Sequence, residues 1–194
     1  MNRSRDKVRC ALNHQNAGSI PVDFGSTAVT GIHCRIVESL RNYYGLAPRP
    51  VKIVDAFQML GEIDAELAEK IGVDCIGIGG PKDIFDLDTT RMHEQTTPWG
   101  QRVLVPEAMD LTPDMRGDVY VYAGGDQNYP PSAVMPKGCY FINAIERQQP
   151  IEDDRLDPED NVEEFGLLTE NDRAYYCAEA DKAYQTGRAV VASF

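Results

Sequence analysis

The chain has 194 residues, enough for one domain with a hydrophobic core, and its apolar fraction of 42% excludes a disordered chain. Its net charge of −12 argues against non-specific binding to nucleic acid and against docking on anionic membranes, because both need clustered Lys and Arg. No apolar run approaches the roughly 20 residues that a membrane-spanning helix needs.

Cysteine usage and the amino terminus indicate a cytoplasmic protein. The five cysteines are widely spaced and form no CxxC pair, so the sequence predicts neither a disulfide framework nor a zinc knuckle. Residues 1–14 are charged throughout and lack the apolar core of a signal peptide.

The first quarter of the chain has the pattern helix, strand, helix. Residues 4–14 predict a short helix with Ser4 as its N-cap. Residues 20–24, IPVDF, predict a strand. Between residues 32 and 44, apolar side chains recur at every fourth position, which predicts a second helix.

A further helix and strand follow. Asp55 has the character of an N-cap with Gln58 three residues on, and apolar residues then recur with helical spacing, so residues 55–71 predict a helix. Residues 73–79 belong to the run VDCIGIGG, whose nearly continuous apolar character is typical of a parallel strand buried on both faces. This order of elements predicts an α/β fold.

Residues 91–146 have a different, β-rich character. Residues 91–106 predict a hairpin with its turn at PWG, and residues 118–125 and 139–146 predict two more short strands. We interpret this segment as an insertion that lies over one end of the main sheet.

The last part of the chain returns to helix and strand. Asp157 and Pro158 predict the start of a short acidic helix, and Thr169 with Asp172 predicts the cap of a longer one. Residues 189–194, AVVASF, predict another buried parallel strand. The three parallel strands predicted here are too few for a closed barrel or a stable open sheet, so we expect the chain to be truncated.

Four stretches follow one another along the chain: KVRCALNH before IPVDFG, the 55–71 segment before GVDCIGIG, the Trp99-Gly100 hairpin, and LDPEDNVEEFG before a long helix. Their order resembles the uroporphyrinogen decarboxylase-like family, which includes cobalamin-dependent methyltransferases. The resemblance implies a (β/α)8 barrel of the TIM type with its active site at the carboxyl ends of the strands. Residues 1–194 would form the N-terminal half of that barrel.

The resemblance leaves two activities open. Uroporphyrinogen decarboxylases carry an arginine-rich stretch of the form MRQAGR after the first strand, which suits a substrate rich in carboxylates. Here the corresponding stretch is DFGSTAVTGIHCR, residues 23–35, in which Arg35 is the only Arg or Lys. The sequence therefore favours the methyltransferase branch, with tetrapyrrole decarboxylation as the alternative.

The methyltransferase branch implies chemistry on a corrinoid. Its members move a methyl group between a corrinoid and a thiol or pterin, and the thiol-alkylating members hold zinc through a His-x-Cys pair and a later Cys. The resemblance places those ligands beyond this chain. His33 and Cys34 do not replace them, because adjacent helical residues point about 100° apart and no third ligand has suitable spacing. We expect no cofactor within this chain, and zinc and corrinoid only in a full-length relative.

Three candidate residues lie near the end of the first predicted strand, where barrel enzymes place catalytic groups. Asp23 is a candidate catalytic residue, and the alternative is that its carboxylate caps the local turn. Phe24 is a candidate for substrate contact. His33 could act as an acid or base from the start of the helix, or satisfy hydrogen bonds there.

Two further groups are candidates for substrate binding. Gly77, Gly79 and Gly80 could let a ligand approach the backbone, or could form an ordinary glycine-rich strand exit; they lack the spacing of a dinucleotide-binding loop. Asp126 and Asn128 lie in the loop between two predicted strands. The aromatic residues of this segment predict either a lid or simple packing; they are Tyr120, Tyr122, Tyr129, Tyr140 and Phe141.

The sequence thus predicts part of a corrinoid-linked methyltransferase that acts on a small-molecule or corrinoid-protein substrate and is inactive as this chain alone. Two alternatives stay open. One is uroporphyrinogen decarboxylase, and the other is a non-catalytic half-barrel that forms a homodimer through its open sheet edge at 189–194. No nucleic-acid or membrane partner is expected.

Overall fold

The strands of the protein form separate small sheets. The computed structural model describes residues 4–147, 150–152, 154, 156–159 and 166–193. Within these residues there are four α-helices and nine strands, in sheets of four, two and three strands. None of the sheets closes on itself. The predicted (β/α)8 architecture with a β-rich insertion is therefore wrong, because the strands are divided among three sheets and most of the pairs are antiparallel.

The largest sheet has the order β2-β1-β5-β4. Its strands are β1 (Val51–Asp55), β2 (Leu60–Gly61), β4 (Met92–Thr96) and β5 (Arg102–Pro106). Strands β4 and β5 form the predicted antiparallel hairpin, and β5 also pairs in parallel with β1. The 91–106 hairpin is thus confirmed, but it is part of the main sheet and does not lie over its end.

The predicted 55–71 helix is wrong in its first half. Asp55 ends β1, and its carboxylate accepts the Gln58 N–H at 2.8 Å within a turn that leads to β2. The helix α3 spans only Ala65–Ile71. It begins where the Asp64 carboxylate accepts two first-turn N–H groups at 3.0 and 3.1 Å, so Asp64 is the true N-cap.

The helix predicted between residues 32 and 44 is confirmed as α2 (Cys34–Tyr43), and Ile32, Leu40 and Tyr44 of the predicted apolar stripe pack half-buried against the core. Cys34, Val37 and Arg41 are its buried residues, whereas Ile36 is 45% exposed. Cys34 is buried because its backbone is fixed beside the start of β2, where its N–H donates to the Met59 carbonyl at 2.8 Å.

The second sheet is a parallel pair. Strands β3 (Cys75–Ile78) and β9 (Ala189–Ala192) pair in register over four residues, which confirms strands in both predicted segments. Helices α1 (Ser4–Leu12) and α4 (Glu170–Gln185) pack on this pair. All four residues of β3 stay half-exposed, so the prediction of a strand buried on both faces is wrong.

In this part of the chain, the predicted cap of α4 is confirmed and the predicted strand at residues 20–24 is wrong. Thr169 and Asp172 form the predicted reciprocal cap of α4. Residues 20–24 do not form a strand, although the Asp74 N–H donates to the Val22 carbonyl at 2.7 Å. The Val22 N–H donates instead to the Asp74 carboxylate, at 2.9 Å, so a side chain replaces the regular ladder.

The third sheet is antiparallel, with the order β6-β7-β8. Strand β6 (Val119–Val121) lies within a predicted strand, whereas the predicted strand at 139–146 contains only β8 (Asn143–Ala144). Strand β7 (Ala133–Met135) lies where the sequence predicted a loop. The acidic helix predicted from Asp157 falls largely outside the described residues.

A single hydrophobic core joins the first and third sheets. Its fully buried members come from α2, α3, the strands of these two sheets and the loops between them, and include Leu67, Leu87, Leu111, Val105 and Val119. Among the described residues, none from α1, β3, α4 or β9 belongs to this cluster. No helix in the described part of the chain is long and apolar enough to cross a membrane.

Polar contacts join α1 to the parallel pair. The Lys7 ammonium lies 2.5 Å from the carboxylate of Asp74, which precedes β3. The Arg5 guanidinium donates to the carbonyls of Tyr184 and Arg188, at 2.5 and 3.2 Å, between α4 and β9. Charge-assisted hydrogen bonds therefore connect α1 with the residue before β3, with the end of α4 and with the residue before β9.

Candidate functional site

The carboxyl ends of β3 and β9 form one edge of the parallel pair, which we call the strand-end site. It comprises residues 23–26, Gly77, Gly79, Gly80, Tyr176 and Ser193. In open parallel sheets, ligands characteristically bind at the carboxyl ends of the strands. The site therefore occupies a position at which chemistry is commonly found, and it contains five of the residues that the sequence identified.

Gly77 allows the loop at residues 23–26 to lie directly against β3. A Cβ atom at this position would lie 1.8 Å from the carbonyl oxygen of Ser26, far inside contact distance. Only glycine permits this approach of two backbones. The sequence predicted that Gly77 lets a ligand approach the backbone, whereas in the structure it lets the 23–26 loop approach β3.

Asp23 and Phe24 lie in this loop. Asp23 is exposed, and its carboxylate accepts a hydrogen bond from the Ser26 hydroxyl at 2.7 Å. Phe24 is half-buried beside it. The turn-capping contact that was the alternative for Asp23 is thus present, and the carboxylate still faces solvent.

Gly79 and Gly80 continue from β3 toward α4. A Cβ atom at Gly79 would meet no atom within 4 Å, whereas one at Gly80 would lie 3.1 Å from the Tyr176 hydroxyl. That hydroxyl donates to the Ser193 carbonyl at 3.0 Å, directly after β9. Tyr176 and Ser26 are contributors that sequence reasoning missed, because neither belongs to a motif and both are placed by long-range contacts.

His33 belongs to a second cluster. It lies in the part of the molecule built from the first and third sheets with α2 and α3, which we call the core region. His33 is the N-cap of α2: its Nδ1 atom accepts the Arg35 N–H at 3.2 Å. Its Nε2 atom lies 3.1 Å from the Tyr140 carbonyl. Since a carbonyl only accepts, Nε2 carries the proton and His33 donates it to Tyr140.

Aromatic rings surround His33. The ring centroids of Trp99 and Phe141 each lie 5.5 Å from that of His33, and the centroid of Tyr140 lies 6.1 Å away. We call these four residues the aromatic cluster. Two residues of the predicted aromatic lid, Tyr140 and Phe141, therefore do converge on a predicted site residue.

A buried amide orients this cluster. Gln101 is 5% exposed, and its Oε1 atom accepts the Trp99 indole N–H at 3.1 Å and the Cys34 thiol at 3.3 Å. Its Nε2 atom donates to the Cys34 carbonyl at 3.0 Å. Gln101 thus joins the β4–β5 turn to the start of α2, a role that no local pattern in the sequence signals.

The His33–Cys34 pair does not fit a zinc ion. Burial raises the pKa of the Cys34 thiol to about 12, the opposite of the lowered thiol pKa that a metal-binding or nucleophilic thiolate requires. Both ring nitrogens of His33 already form hydrogen bonds. Among the residues that the structure describes, no group of three or more His, Cys, Asp and Glu side chains could hold a metal.

The remaining predicted residues lie apart from both clusters. Asp126 and Asn128 are exposed, and the Asp126 carboxylate accepts the Asn128 backbone and side-chain N–H groups at 2.9 and 2.8 Å, which is a local turn.

A cavity of about 210 Å³ lies beside an ion pair under α2. Arg41 is 2% exposed and pairs with the carboxylate of Asp64, while it also donates to Ala47 and Glu66 at 2.8 and 2.9 Å. Burial acts to raise the pKa of Asp64, but the hydrogen bonds from the Leu67 N–H and from Arg41 outweigh it and hold that pKa below its ordinary value. The two terminal nitrogens of the Arg41 guanidinium bond to these groups, which gives Arg41 a structural role.

Comparison of the chain with protein-family models, with curated proteins and with solved structures finds no match.

Proposed function

We propose that the chain contributes the ligand-contacting part of an enzyme for corrinoid-linked methyl transfer to a thiol or pterin acceptor. The support is twofold: the resemblance of the four sequence stretches to the uroporphyrinogen decarboxylase-like proteins, and the strand-end site. The observation that carries the proposal is that Gly79 and Gly80 leave the carboxyl end of β3 with open space around Gly79, while the loop that holds Asp23 lies against β3 at Gly77.

In this proposal the residues bind the ligand and leave the activation of the acceptor to groups outside the chain. Gly79 is exposed and its surroundings are open, so a flat ligand can approach its backbone. Asp23 presents a carboxylate to solvent from the loop that lies against Gly77, which suits an N–H donor on the ligand. Cys34, buried and with a raised pKa, does not supply a thiolate.

Decarboxylation of a tetrapyrrole stays as the alternative, with weaker support. A substrate rich in carboxylates needs cationic partners, and Arg is the natural one. The 23–26 loop of the strand-end site presents the carboxylate of Asp23 and contains no Arg or Lys. Arg35 is directed to the Tyr140 ring, with its guanidinium carbon 4.7 Å from the ring centroid.

A non-catalytic binding module is a second candidate function, and one observation favours it. Within the described residues, β9 pairs only with β3, and its sequence AVVA carries no charge or proline to block a further strand. A second copy could pair with this edge in antiparallel fashion about a twofold axis. Sedimentation of the purified chain at increasing concentration distinguishes a defined dimer from a monomer.

The test of the main proposal is a spectroscopic titration of the purified chain with methylcobalamin and with hydroxocobalamin. We expect a saturable change in the visible spectrum of the corrinoid and no turnover. Gly79→Val should weaken this binding at least severalfold, because the added side chain meets no protein atom but fills the space that the ligand would use.

Gly166→Val is the matched control, because a Cβ atom there also meets nothing within 4 Å and lies outside the strand-end site. It should bind the corrinoid like the native chain. Equal weakening in both variants, or no spectral change with either corrinoid, contradicts the proposal. Consumption of uroporphyrinogen without corrinoid binding would favour the decarboxylase alternative.

A further inference from the structure

We propose that His33 is a pH switch, which holds the segment around Tyr140 and Phe141 against the start of α2 at neutral pH and releases it on protonation. The inference is independent of the proposed function, since it rests on the hydrogen bonds and packing of the aromatic cluster alone. It concerns the core region and not the strand-end site.

The hydrogen bonds of His33 specify one neutral form of the ring. Nδ1 accepts from the Arg35 N–H and Nε2 donates to the Tyr140 carbonyl, so a single imidazole ring joins the first turn of α2 to a segment more than 100 residues away. A neutral imidazole provides one acceptor and one donor, which matches these two partners. The His33 ring thus caps α2 and also binds the Tyr140 carbonyl.

Protonation of His33 removes the acceptor for the Arg35 N–H. In the imidazolium form both ring nitrogens are donors, so Nδ1 would point an N–H at the N–H of Arg35. The positive charge would also lie at the amino terminus of α2, where the helix dipole disfavours cations. His33 must therefore leave the cap position, and its movement withdraws the donor from the Tyr140 carbonyl.

The charged and titratable groups around His33 act in the same direction. On α2, the Arg35 guanidinium opposes a second positive charge, and the buried Cys34 thiol lies 3.8 Å from Nδ1. Across the cluster, the β4–β5 turn presents Trp99, β2 presents Leu60, and the 140–141 segment presents Tyr140 and Phe141. None of these side chains supplies a carboxylate that would favour imidazolium.

The pKa of His33 agrees with this geometry. Burial lowers it from its ordinary value, and the charge of Arg35 lowers it further, while the hydrogen bond to the Tyr140 carbonyl acts in the opposite direction. The neutral form is therefore the stabilised one. Its contribution is complete above about pH 6.5 and is lost as the pH falls below that value.

Trp99 offers a direct readout, because it is the only tryptophan of the chain and its ring faces His33. We expect its fluorescence emission to change with pH in one sigmoidal step, with a midpoint below the ordinary histidine value of about 6.5. In His33→Asn the step should be absent, because asparagine caps a helix without titrating in this range. His14→Asn, which changes a histidine outside the cluster, should keep the step unchanged.

A second measurement on the native chain separates release from mere titration. The exchange protection of the Arg35 backbone amide, relative to its intrinsic rate, should fall roughly fivefold or more below the midpoint, since it loses its side-chain acceptor. Persistence of the fluorescence step in His33→Asn overturns the proposal. So does titration of the His33 ring, followed by its proton resonances, without loss of protection at Arg35, and this measurement needs no variant that must fold.

Discussion

The two parts of the molecule that carry its candidate sites are held together in different ways. The core region, built from the first and third sheets with α2 and α3, encloses a continuous set of fully buried apolar side chains. The parallel region, made of α1, β3, α4 and β9, contributes none of its described residues to that cluster and depends on contacts such as Lys7 with Asp74. Fully buried apolar packing holds the core region, whereas the parallel region combines half-buried strands with charge-assisted hydrogen bonds from α1.

Because of this difference, we expect the two regions to respond to different perturbations. Loss of apolar volume should weaken the core region, whereas loss of charge or acidification should weaken the parallel region. The strand-end site lies in the parallel region and the aromatic cluster in the core region. Their responses to mutation and pH are therefore separable by experiment.

The largest loss of stability is expected from Arg41→Ala, beside the core. Removal of the guanidinium takes one of two cations from the buried Asp64 carboxylate, and Arg49 remains 2.7 Å from it. Loss of one partner of a buried ion pair costs about 3–5 kcal/mol, and we expect the lower end of that range here because Arg49 still compensates the charge. Denaturant unfolding of both proteins measures the difference. Arg91→Ala breaks an ion pair with Glu107 in which both side chains are exposed, and should change stability little. Similar losses in the two variants would contradict a structural role for Arg41.

Leu111→Ala should cost about 2–5 kcal/mol, because it opens a cavity among fully buried side chains. Val191→Ala in β9 should cost clearly less, since Val191 is only half-buried. Urea denaturation of the two variants compares the regions directly. An equal or larger loss for Val191→Ala would show that the parallel region has an apolar core of its own.

Gly77→Ala should destabilise the chain by about 1–3 kcal/mol, because the new methyl group would overlap the Ser26 carbonyl and displace the 23–26 loop. Gly79→Ala, two residues on and open to solvent, should change stability only slightly. Thermal unfolding followed by circular dichroism measures both. Equal stability of the two variants would mean that the loop does not lie against β3.

Asp74→Asn should have the smallest effect at neutral pH, about 1 kcal/mol, since it removes the charge that faces Lys7 but keeps an acceptor for the Val22 N–H. Burial acts to raise the pKa of Asp74, but the Lys7 ammonium and the Val22 N–H outweigh it and hold that pKa below its ordinary value. Its contribution is thus complete above about pH 4 and is lost as the pH falls through the folded-state pKa.

The pH dependence of unfolding checks this assignment. Native protein should lose more stability than Asp74→Asn as the pH falls below about 4, and the two curves should converge there. The His33 step, by contrast, is expected to have its midpoint below about pH 6.5 and to be unchanged in Asp74→Asn. Parallel curves for native protein and Asp74→Asn would show that the contact between Asp74 and Lys7 does not make the parallel region sensitive to acid.

Candidate residues were predictable where one residue type suits a position on its own. Gly79 and Gly80 follow β3 directly, because glycines after an apolar run mark a strand end. Ser26 and Tyr176 were not predictable, since their positions depend on contacts with residues that are distant in sequence. Asp126 and Asn128 were grouped with them only by residue type, and the structure leaves them in an exposed turn.

The family resemblance predicted the N-terminal half of one barrel sheet, whereas the described residues form three separate sheets. Local alternation and turn residues specify that a segment is extended, but they do not name its partner. Strand β5 illustrates this, since one edge continues the predicted hairpin and the other pairs in parallel with β1. Partner choice depends on which apolar faces meet in the core, and this is a property of the whole chain.

Local sequence signals were sufficient for the 91–106 hairpin with its PWG turn, the Thr169–Asp172 cap, and the apolar strands β3 and β9. The other features depend on long-range contacts. The tertiary structure ended β1 at Asp55 where helical spacing predicted a cap, and it made His33 a link between α2 and Tyr140. The reason is that capping and turn geometry are short-range, whereas burial and strand pairing are settled by contacts between distant parts of the chain.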